Sequence, residues 1–167
     1  MEYIERTLIL FKPDAVQRGV VGEILTRFER VGLKIVATKM LAPDREHYHK
    51  HYEEIGKMIT RRGEDKFELA LELMNKGPVI AMVLEGIEAV AIVRKLVGAT
   101  EPKSAAPGTI RGDYSHISYE YGDTAKVAFA NLLHASGDVE EAKQEIPHWF
   151  NEDELYDYGV LNEKFTR

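Results

Sequence analysis

The stretch Pro78-Val79-Ile80-Ala81-Met82-Val83-Leu84 is a continuous apolar run near the middle of the chain. A short run of this kind is typical of a strand that is buried on both faces of a sheet. Gly86 follows the run and predicts its end. The sequence therefore predicts a central strand here, and the segments on either side are interpreted as its neighbours in one sheet.

Three further segments have the pattern of strands. Residues 6–12 are apolar until Lys12, and residues 33–41 alternate between two faces as a half-buried strand does. Residues 127–134 form the last candidate, which ends at His134. Together with the central run they predict a small sheet.

Helical segments lie between these strands. Residues 21–31 have an apolar face at helical spacing and end before Gly32, a typical helix stop. Further helices are predicted at residues 43–55, 67–74, 87–97 and 138–146, the last of them ending at Pro147. Residues 98–113 are predicted to be a long loop, and residues 114–124 have no clear assignment.

This order of elements predicts an α+β fold, a ferredoxin-like βαββαβ sandwich. We expect a mostly antiparallel four-stranded sheet with helices on one face and an added helical pair. The aromatic tail after Pro147 is expected to form a C-terminal strap, on the body or on a neighbouring subunit.

The composition is that of an ordinary globular protein, with 44% hydrophobic and 30% charged residues among 167. This length predicts one domain spanning residues 1–167. The absence of cysteine excludes disulfides, thiolate catalysis and cysteine-based metal sites. No apolar run approaches the roughly 20 residues that span a bilayer, and the charged N-terminus lacks a signal-peptide core, so a cytoplasmic location is expected.

The net charge of −6 argues against a broad surface for the phosphate backbone of nucleic acids, which needs clustered Lys and Arg. It remains compatible with a small polyanionic substrate, because a few local cations make one cleft positive. The chain contains neither of the two common glycine-rich phosphate loops nor the protein-kinase motifs His-Arg-Asp and Asp-Phe-Gly. A nucleotide site in this chain would therefore use other groups.

One histidine and several cations stand at positions that can face a pocket. His134 ends an apolar run, Lys12 ends the first strand, Arg94 lies within the apolar arc of its helix and Arg111 stands in the long loop. Taken singly, each has an ordinary interpretation as a half-buried histidine or a solvated cation. Together, and with Thr100, they provide an imidazole and three cations, a minimum for moving a phosphoryl group through a phosphohistidine.

Two other histidines, His47 and His51, share a helix face at the i,i+4 spacing that can bind a metal. The glutamate of a His-Glu-x-x-His motif is missing. A solvated helix face is therefore the favoured interpretation, and no metal-binding residue is predicted.

Several longer strings of residues carry a family resemblance along nearly the whole chain. The matching stretches are Glu5-Arg6-Thr7, Lys12-Pro13-Asp14-Ala15-Val16-Gln17-Arg18-Gly19, His51-Tyr52, Gly77-Pro78-Val79, Gly108-Thr109-Ile110-Arg111-Gly112-Asp113 and Asn131-Leu132-Leu133-His134-Ala135-Ser136. With these strings in this order, the chain resembles the nucleoside diphosphate kinase family. The last two strings are the most specific.

The resemblance implies a ping-pong exchange, in which His134 takes the γ-phosphate of a nucleoside triphosphate and passes it to a nucleoside diphosphate. It also implies a role for each matching residue. By resemblance, Glu145 bonds the ring nitrogen that does not attack, and Ser136 places a hydroxyl near the histidine. Lys12 and Tyr52 are expected near the transferring phosphate, and Asn131 is expected to contact the sugar end and phosphate. The residues expected to clamp the phosphates are Arg94, Thr100 and Arg111.

The family further implies Mg²⁺ bound mainly through the nucleotide phosphates. It implies a homo-oligomer as well, with a hexamer favoured and a tetramer possible. Nucleoside di- and triphosphates are the expected partners, while neither a membrane nor a stable nucleic-acid partner is expected.

The chain departs from the family pattern near the predicted base site. The segment between Tyr52 and Gly77 is longer than usual, and Phe67 is the nearest candidate there for the phenylalanine that stacks on the base. An insertion between Asp113 and Asn131 lies between two pocket segments. It is either a lid over the pocket or a decoration of an edge.

A third departure follows the histidine, where Gly137-Asp138 stand in place of the usual Asp-Ser. A geometric tension precedes it, because Asn131 and His134 would point to opposite faces of a regular strand. Both can face one pocket only if the backbone turns between them. The strand proper is therefore expected to start near Leu132 or Leu133.

An active nucleoside diphosphate kinase is the leading hypothesis. The alternative is a nucleotide-binding regulatory protein of the same fold without turnover, supported by the insertions and Gly137. A nucleic-acid-binding module is a third interpretation, since ferredoxin-like sheets also bind RNA. The net charge and the lack of an aromatic-basic strand count against it.

Overall fold

The computed structural model describes residues 3–161 and 163–166. Its sheet has the strand order β2-β3-β1-β4, and each neighbouring pair is antiparallel. The strands are β1 (Ile4–Phe11), β2 (Lys34–Leu41), β3 (Val79–Ile87) and β4 (Leu133–Ala135). The ferredoxin-like βαββαβ plan is confirmed, and the described sheet is antiparallel throughout.

Helices connect and cover these strands. In the described part of the chain they are α1 (Pro13–Gln17), α2 (Val21–Arg30), α3 (Arg45–His49), α4 (Met58–Arg62), α5 (Glu64–Met74), α6 (Ala89–Val97), α7 (Ile110–Tyr114), α8 (Tyr119–Ala125), α9 (Val139–Trp149) and α10 (Glu163–Thr166). A π-helical turn, Lys50–Ile55, continues α3. Among the helices described, none combines the length and the apolar character needed to cross a membrane.

Both faces of the sheet are covered, so the expectation of helices on only one face was wrong. Ile9 and Phe11 of β1 pack with α2 and α6, whereas Leu8 and Leu10 pack with α3, α5 and α9 on the other side. A strand that is apolar on both faces is stable only when both are buried, and each large side chain buried in this way contributes about 1.5–3 kcal/mol. The added helical segments therefore complete the core.

Two predicted stops are not stops. β3 continues through Gly86 to Ile87, because both residues still pair with β1. The glycine serves close packing instead, since a Cβ at Gly86 would lie 2.7 Å from Leu33 Cδ2. α9 continues through Pro147 to Trp149. The proline removes one backbone donor, while the N–H of Phe150 still donates to the Ile146 carbonyl at 2.8 Å and closes the last turn.

The predicted loop and the unassigned segment both contain helices. Thr109 caps α7 by accepting a hydrogen bond from the N–H of Gly112, which puts Arg111 on a helix rather than in a loop. Ser118 caps α8 in the same way. The last strand is much shorter than predicted, since residues 127–132 lie outside it.

The C-terminal strap packs along β2. The N–H of Tyr156 donates to the Val36 carbonyl at 3.0 Å, and the Tyr158 hydroxyl donates to the Ile35 carbonyl at 2.6 Å. An ion pair of 2.7 Å joins Lys39 and Glu154. The strap therefore lies on the body of its own chain.

Candidate active site

His134 lies in the middle of β4 and contacts Glu145 of α9. Its Nε2 is 2.6 Å from Glu145 Oε1, and the carboxylate is completely buried. Glu145 Oε2 accepts a 2.6 Å hydrogen bond from Ser136 Oγ, which itself accepts one from the backbone N–H of Leu8. Since an ionised carboxylate has no proton to donate, the proton of the His134–Glu145 bond belongs to Nε2.

The surroundings of His134 keep its imidazole neutral. Burial lowers the pKa of His134 to about 3, and the cations Lys12, Arg111 and Arg94 act in the same direction, against the carboxylate of Glu141. With the proton on Nε2, the lone pair is on Nδ1, which has no hydrogen-bond partner among residues 3–161 and 163–166. A neutral imidazole with this lone pair is a nucleophile at neutral pH.

A turn at Leu132 brings Asn131 and His134 to one cavity. Leu132 has a φ of +74°, and the N–H of Leu133 donates to the Asn131 carbonyl at 2.9 Å, which is a γ-turn around a single residue. β4 begins directly after this turn. The expectation that the strand starts near Leu132 or Leu133 is therefore confirmed.

Neighbouring segments hold this left-handed leucine in place. The N–H of Leu132 donates to Asp14 Oδ2 at 3.0 Å, and its carbonyl accepts from the N–H of Lys12 at 2.9 Å. The Arg111 guanidinium donates to the carbonyls on either side of the turn, at 3.2 and 2.6 Å. Such a backbone costs on the order of 1–3 kcal/mol, so it persists because these anchors outweigh the strain.

Three cations converge on the histidine. Lys12 Nζ donates to Asn131 Oδ1 at 2.7 Å, and the Arg94 guanidinium donates to the Ser136 carbonyl at 3.5 Å. Burial, together with Arg111, lowers the pKa of Lys12 to about 8, and burial, together with Arg94, lowers the pKa of Arg111 to about 10. Cations that lower one another's pKa lie close together, and such a cluster attracts a polyanion.

Polar groups complete the cavity beside these cations. Asn131 Nδ2 donates to the Thr100 carbonyl at 2.9 Å, which links the turn to the segment after α6. Tyr52 lies on the π-helical turn, and burial raises the pKa of its hydroxyl far above the usual range. The Tyr52 hydroxyl therefore remains a hydrogen-bond donor at neutral pH.

Most of the sequence-predicted residues meet at one cavity of about 560 Å³. Those that line it are Lys12, Tyr52, Arg94, Thr100, Arg111, Asn131 and His134. Ser136 and Glu145 lie behind the histidine as buried support. The cavity thus joins a nucleophile to a set of cations.

Phe67 lies outside this cavity, which corrects the prediction that it stacks on the base. Its side chain is completely buried in the core with Leu71 and Met74. The ring meets His49 edge-on, with centroids 5.7 Å apart, and the Arg45 guanidinium lies 5.4 Å from the ring centroid. Helical periodicity explains this position, because Phe67 belongs to the apolar stripe of α5 and that stripe faces the sheet.

Two residues behind the site escaped the sequence analysis in this role. His51 Nδ1 accepts a 3.1 Å hydrogen bond from Trp149 Nε1 and lies 3.7 Å from Glu145 Oε1, while its ring meets that of His134 edge-on at 4.6 Å. Burial lowers the pKa of His51, which is therefore neutral, and burial raises the pKa of Glu145. Both residue types were visible in the sequence, but His51 was interpreted as part of a solvated helix face and Trp149 as part of the strap.

Within the residues that the structure describes, one group has the composition of a metal site, namely His51, His134 and Glu145. His134 Nε2 and Glu145 Oε1 are bonded to each other and His51 Nδ1 accepts from Trp149, whereas His51 Nε2 is buried without a hydrogen-bond partner in the described part of the chain. Mg²⁺ prefers oxygen ligands and keeps several waters, so this nitrogen-rich group does not suit it.

Known proteins match the chain over nearly its full length. Residues 5–155 match the family model described as Nucleoside diphosphate kinase. A curated nucleoside diphosphate kinase of Pyrococcus furiosus is 49% identical, with 100% of this chain and 96% of that protein covered.

Solved structures agree with this match. The transition-state mimic of nucleoside-diphosphate kinase from Borrelia burgdorferi with bound vanadate and ADP has a TM-score of 0.93 at 42% identity, covering 98% of this chain and 96% of that one. The Halobacterium salinarum nucleoside diphosphate kinase in complex with CDP has a TM-score of 0.81 at 38% identity, with 98% of each chain covered.

Proposed function

The chain belongs to the nucleoside diphosphate kinase family, and we propose that His134 is its phosphate-carrying nucleophile. The protein is an enzyme that transfers the γ-phosphate of a nucleoside triphosphate to a nucleoside diphosphate. The alternative of a regulatory protein without turnover is not favoured. Each residue at the cavity has its own part in this transfer.

The observation that carries the proposal is the hydrogen bond between His134 Nε2 and Glu145 Oε1, which leaves the lone pair on Nδ1. In the first half-reaction, Nδ1 forms a bond to the γ-phosphorus while the bond to the bridging oxygen breaks and the nucleoside diphosphate leaves with that electron pair. The ring becomes positive as the N–P bond forms. Glu145 stabilises this charge through the Nε2–H that it already accepts.

The cations supply the electrostatic part of the reaction. Lys12, Arg94 and Arg111 are held in position before the substrate arrives, so they stabilise the spreading charge of the phosphoryl oxygens without reorganising. Tyr52 and Asn131 add hydrogen-bond donors at the same cavity. Well-oriented reactants of this kind recover roughly 7–11 kcal/mol of a barrier.

The second half-reaction reverses the first. A nucleoside diphosphate enters the same cavity, its terminal phosphate oxygen attacks the phosphorus, and the N–P bond breaks to restore the neutral imidazole. Thr100 and Arg94 are proposed to hold the non-reacting phosphates in both halves. One set of groups therefore serves donor and acceptor, because both present the same polyphosphate.

We propose Mg²⁺ as the metal that accompanies the nucleotide. When bound between phosphates it neutralises part of their charge. A homo-oligomer, with a hexamer ahead of a tetramer, is proposed from family membership, and light scattering tests it. A cytoplasmic location stays a prediction.

The test of the proposed nucleophile is labelling with γ-³²P-ATP. The wild type is expected to acquire alkali-stable, acid-labile phosphate, and His134→Ala is expected to acquire none while keeping its fold by circular dichroism. His116→Ala, which changes an exposed histidine away from the cavity, is the matched control and should label like the wild type. Stable labelling of His134→Ala would overturn the assignment.

A further inference from the structure

α9 presents two side chains to His51 from one of its faces. Glu145 and Trp149 are four residues apart on this helix, the spacing that brings two side chains to the same side. His51 lies against both, because its Nδ1 is 3.1 Å from Trp149 Nε1 and 3.7 Å from Glu145 Oε1. One nitrogen of a buried imidazole is therefore close to a donor and to an acceptor at the same time.

The contact with Trp149 determines which nitrogen of His51 carries a proton. An indole N–H only donates, so His51 Nδ1 is the acceptor of this hydrogen bond. Burial lowers the pKa of His51, so its ring is neutral and has a single N–H group. The proton of His51 is therefore on Nε2.

This tautomer leaves the N–H of His51 without a partner. Nε2 is buried and makes no hydrogen bond within residues 3–161 and 163–166. A donor in this state is destabilising, because it has lost its water and gained nothing in exchange. With the proton on Nδ1 instead, a small shift would let Glu145 Oε1 accept it, since 3.7 Å is only slightly longer than a hydrogen bond. The Trp149 bond thus opposes a tautomer that the surroundings of the ring otherwise favour.

The other tautomer would change what Glu145 does for His134. Glu145 Oε1 already accepts from His134 Nε2 at 2.6 Å. A second donor, from His51, would leave His134 in place, because a carboxylate oxygen has two lone pairs. It would nevertheless neutralise part of the negative charge that stabilises the His134 ring as the N–P bond forms. A proton on His51 Nδ1 would therefore slow phosphorylation without touching the cations of the cavity.

Ring packing fixes the arrangement on which this depends. The His51 ring meets the Trp149 indole at 86°, with centroids 5.4 Å apart, and meets the His134 ring at 83°, with centroids 4.6 Å apart. His47 packs edge-on against the indole at 4.4 Å. His51 and Trp149 are buried, so the indole and not bulk water is the donor at His51 Nδ1.

We propose that Trp149 is a positioning residue of this active site, which acts through His51 by holding the His51 proton on Nε2 and so keeps Glu145 Oε1 for His134. The inference rests on the proposed function of His134, because it concerns the rate at which that ring takes up phosphate. It also gives a part to an indole that reaches the nucleophile only through two other side chains.

NMR spectroscopy tests the tautomer directly. Long-range ¹H–¹⁵N spectra of the ¹⁵N-labelled protein distinguish an Nε2 proton from an Nδ1 proton, and the His51 signals are identified by their loss in His51→Leu. His51 is expected to be protonated at Nε2 in the wild type and at Nδ1 in Trp149→Phe, which keeps an aromatic ring but removes the N–H. An Nδ1 proton in the wild type, or an Nε2 proton retained in Trp149→Phe, would overturn the proposal.

Rapid-quench labelling with γ-³²P-ATP tests the consequence for the reaction. Trp149→Phe is expected to lower the maximal rate of His134 phosphorylation roughly 3- to 10-fold, as when one hydrogen bond is weakened. The ATP concentration at half-maximal rate should stay within a factor of about two of the wild type, because the substitution leaves the three cations of the cavity in place. An unchanged maximal rate would overturn the positioning role.

A second substitution distinguishes this role from a contribution to packing alone. His51→Leu removes the competing proton, so adding it to Trp149→Phe is expected to raise the phosphorylation rate above that of Trp149→Phe. A double variant that is no faster would overturn the proposal. Phe150→Leu, which trims the neighbouring buried aromatic side chain, is the matched control and should lower stability while keeping the wild-type rate. An equal loss of rate in Phe150→Leu would assign the effect to packing and overturn the proposal.

The two kinds of measurement also separate this inference from the proposed function. Absence of label on the wild-type protein would overturn His134 as the nucleophile. The tautomer of His51 is observed by NMR without nucleotide and without turnover, so it is determined whether or not His134 takes up phosphate.

Discussion

His134 and Glu145, eleven residues apart, are joined by a 2.6 Å contact between the imidazole Nε2 and the carboxylate Oε1. The other carboxylate oxygen accepts from Ser136, so both oxygens of Glu145 act as acceptors. The histidine is therefore fixed in one tautomer and one orientation by a group that is itself fixed. The chemistry at Nδ1 depends on atoms on the far side of the ring.

Glu145→Gln is the first test of this dependence. The amide offers one acceptor and one donor group, so either His134 or Ser136 must face a donor. We expect the rate of His134 phosphorylation to fall roughly 10- to 100-fold, as for other residues that orient an active group. Rapid-quench labelling measures this rate, with Glu140→Gln on the exposed side of α9 as control. An unchanged rate in Glu145→Gln would show that the carboxylate is only structural.

Acid should destabilise the protein through its buried neutral histidines. Burial lowers the pKa of His134 to about 3, whereas the unfolded chain protonates this histidine near 6.5, so below that pH the unfolded state binds more protons. Each such histidine lowers the free energy of unfolding by up to about 1.4 kcal/mol per pH unit between these values. Between pH 6.5 and 5, the free energy of unfolding of His134→Gln should fall by about 2 kcal/mol less than that of the wild type, as measured by denaturant unfolding. His116→Gln, at an exposed position, should behave like the wild type.

Alkaline pH should weaken nucleotide capture through Lys12. Burial lowers the pKa of Lys12 to about 8, so the free enzyme loses this positive charge as the pH rises through that value. We expect kcat/KM to fall above pH 8, with a smaller effect on kcat because bound phosphate favours the charged form. Lys12→Arg should be less active at pH 7 but should lack this alkaline decline. A decline of the same midpoint in Lys12→Arg would contradict the role of Lys12.

Phe67 should matter for stability and not for nucleotide affinity. Its ring is buried against the sheet, so Phe67→Ala is expected to lower the free energy of unfolding by about 3–5 kcal/mol, and Phe67→Leu by less. The KM for ADP in Phe67→Leu should stay within a factor of about two of the wild type, which corresponds to under 0.5 kcal/mol. A large rise in KM with unchanged stability would restore Phe67 to the base subsite.

The parts of the fold that depend on periodicity were predictable. The central run 78–84 and the alternating segment 33–41 have patterns that burial alone explains, and both are strands. Gly86 and Pro147 were interpreted as the ends of a strand and a helix because glycine and proline destabilise the interior of these elements. The packing of Gly86 against Leu33, which comes from a distant segment, was not visible.

The same limit applies to the active site. Residue type and order identified His134, Lys12 and Arg111, because the chemistry requires an imidazole and cations. Their gathering depends on a left-handed Leu132, and leucine gives no signal for that conformation. Phe67 was misassigned because an aromatic residue near a site has the same appearance in sequence whether it faces the core or the substrate.

The turn at Leu132 also has a consequence for the order of assembly. Its side-chain and backbone anchors come from Asp14, Lys12 and Arg111, all of which precede it in the chain. In a chain synthesised from the N-terminus, the residues that anchor this strained leucine leave the ribosome before the leucine itself. Glu145, by contrast, arrives later. The turn that orients His134 is therefore held by segments synthesised before it, whereas Glu145, which fixes the tautomer of the imidazole, is synthesised after it.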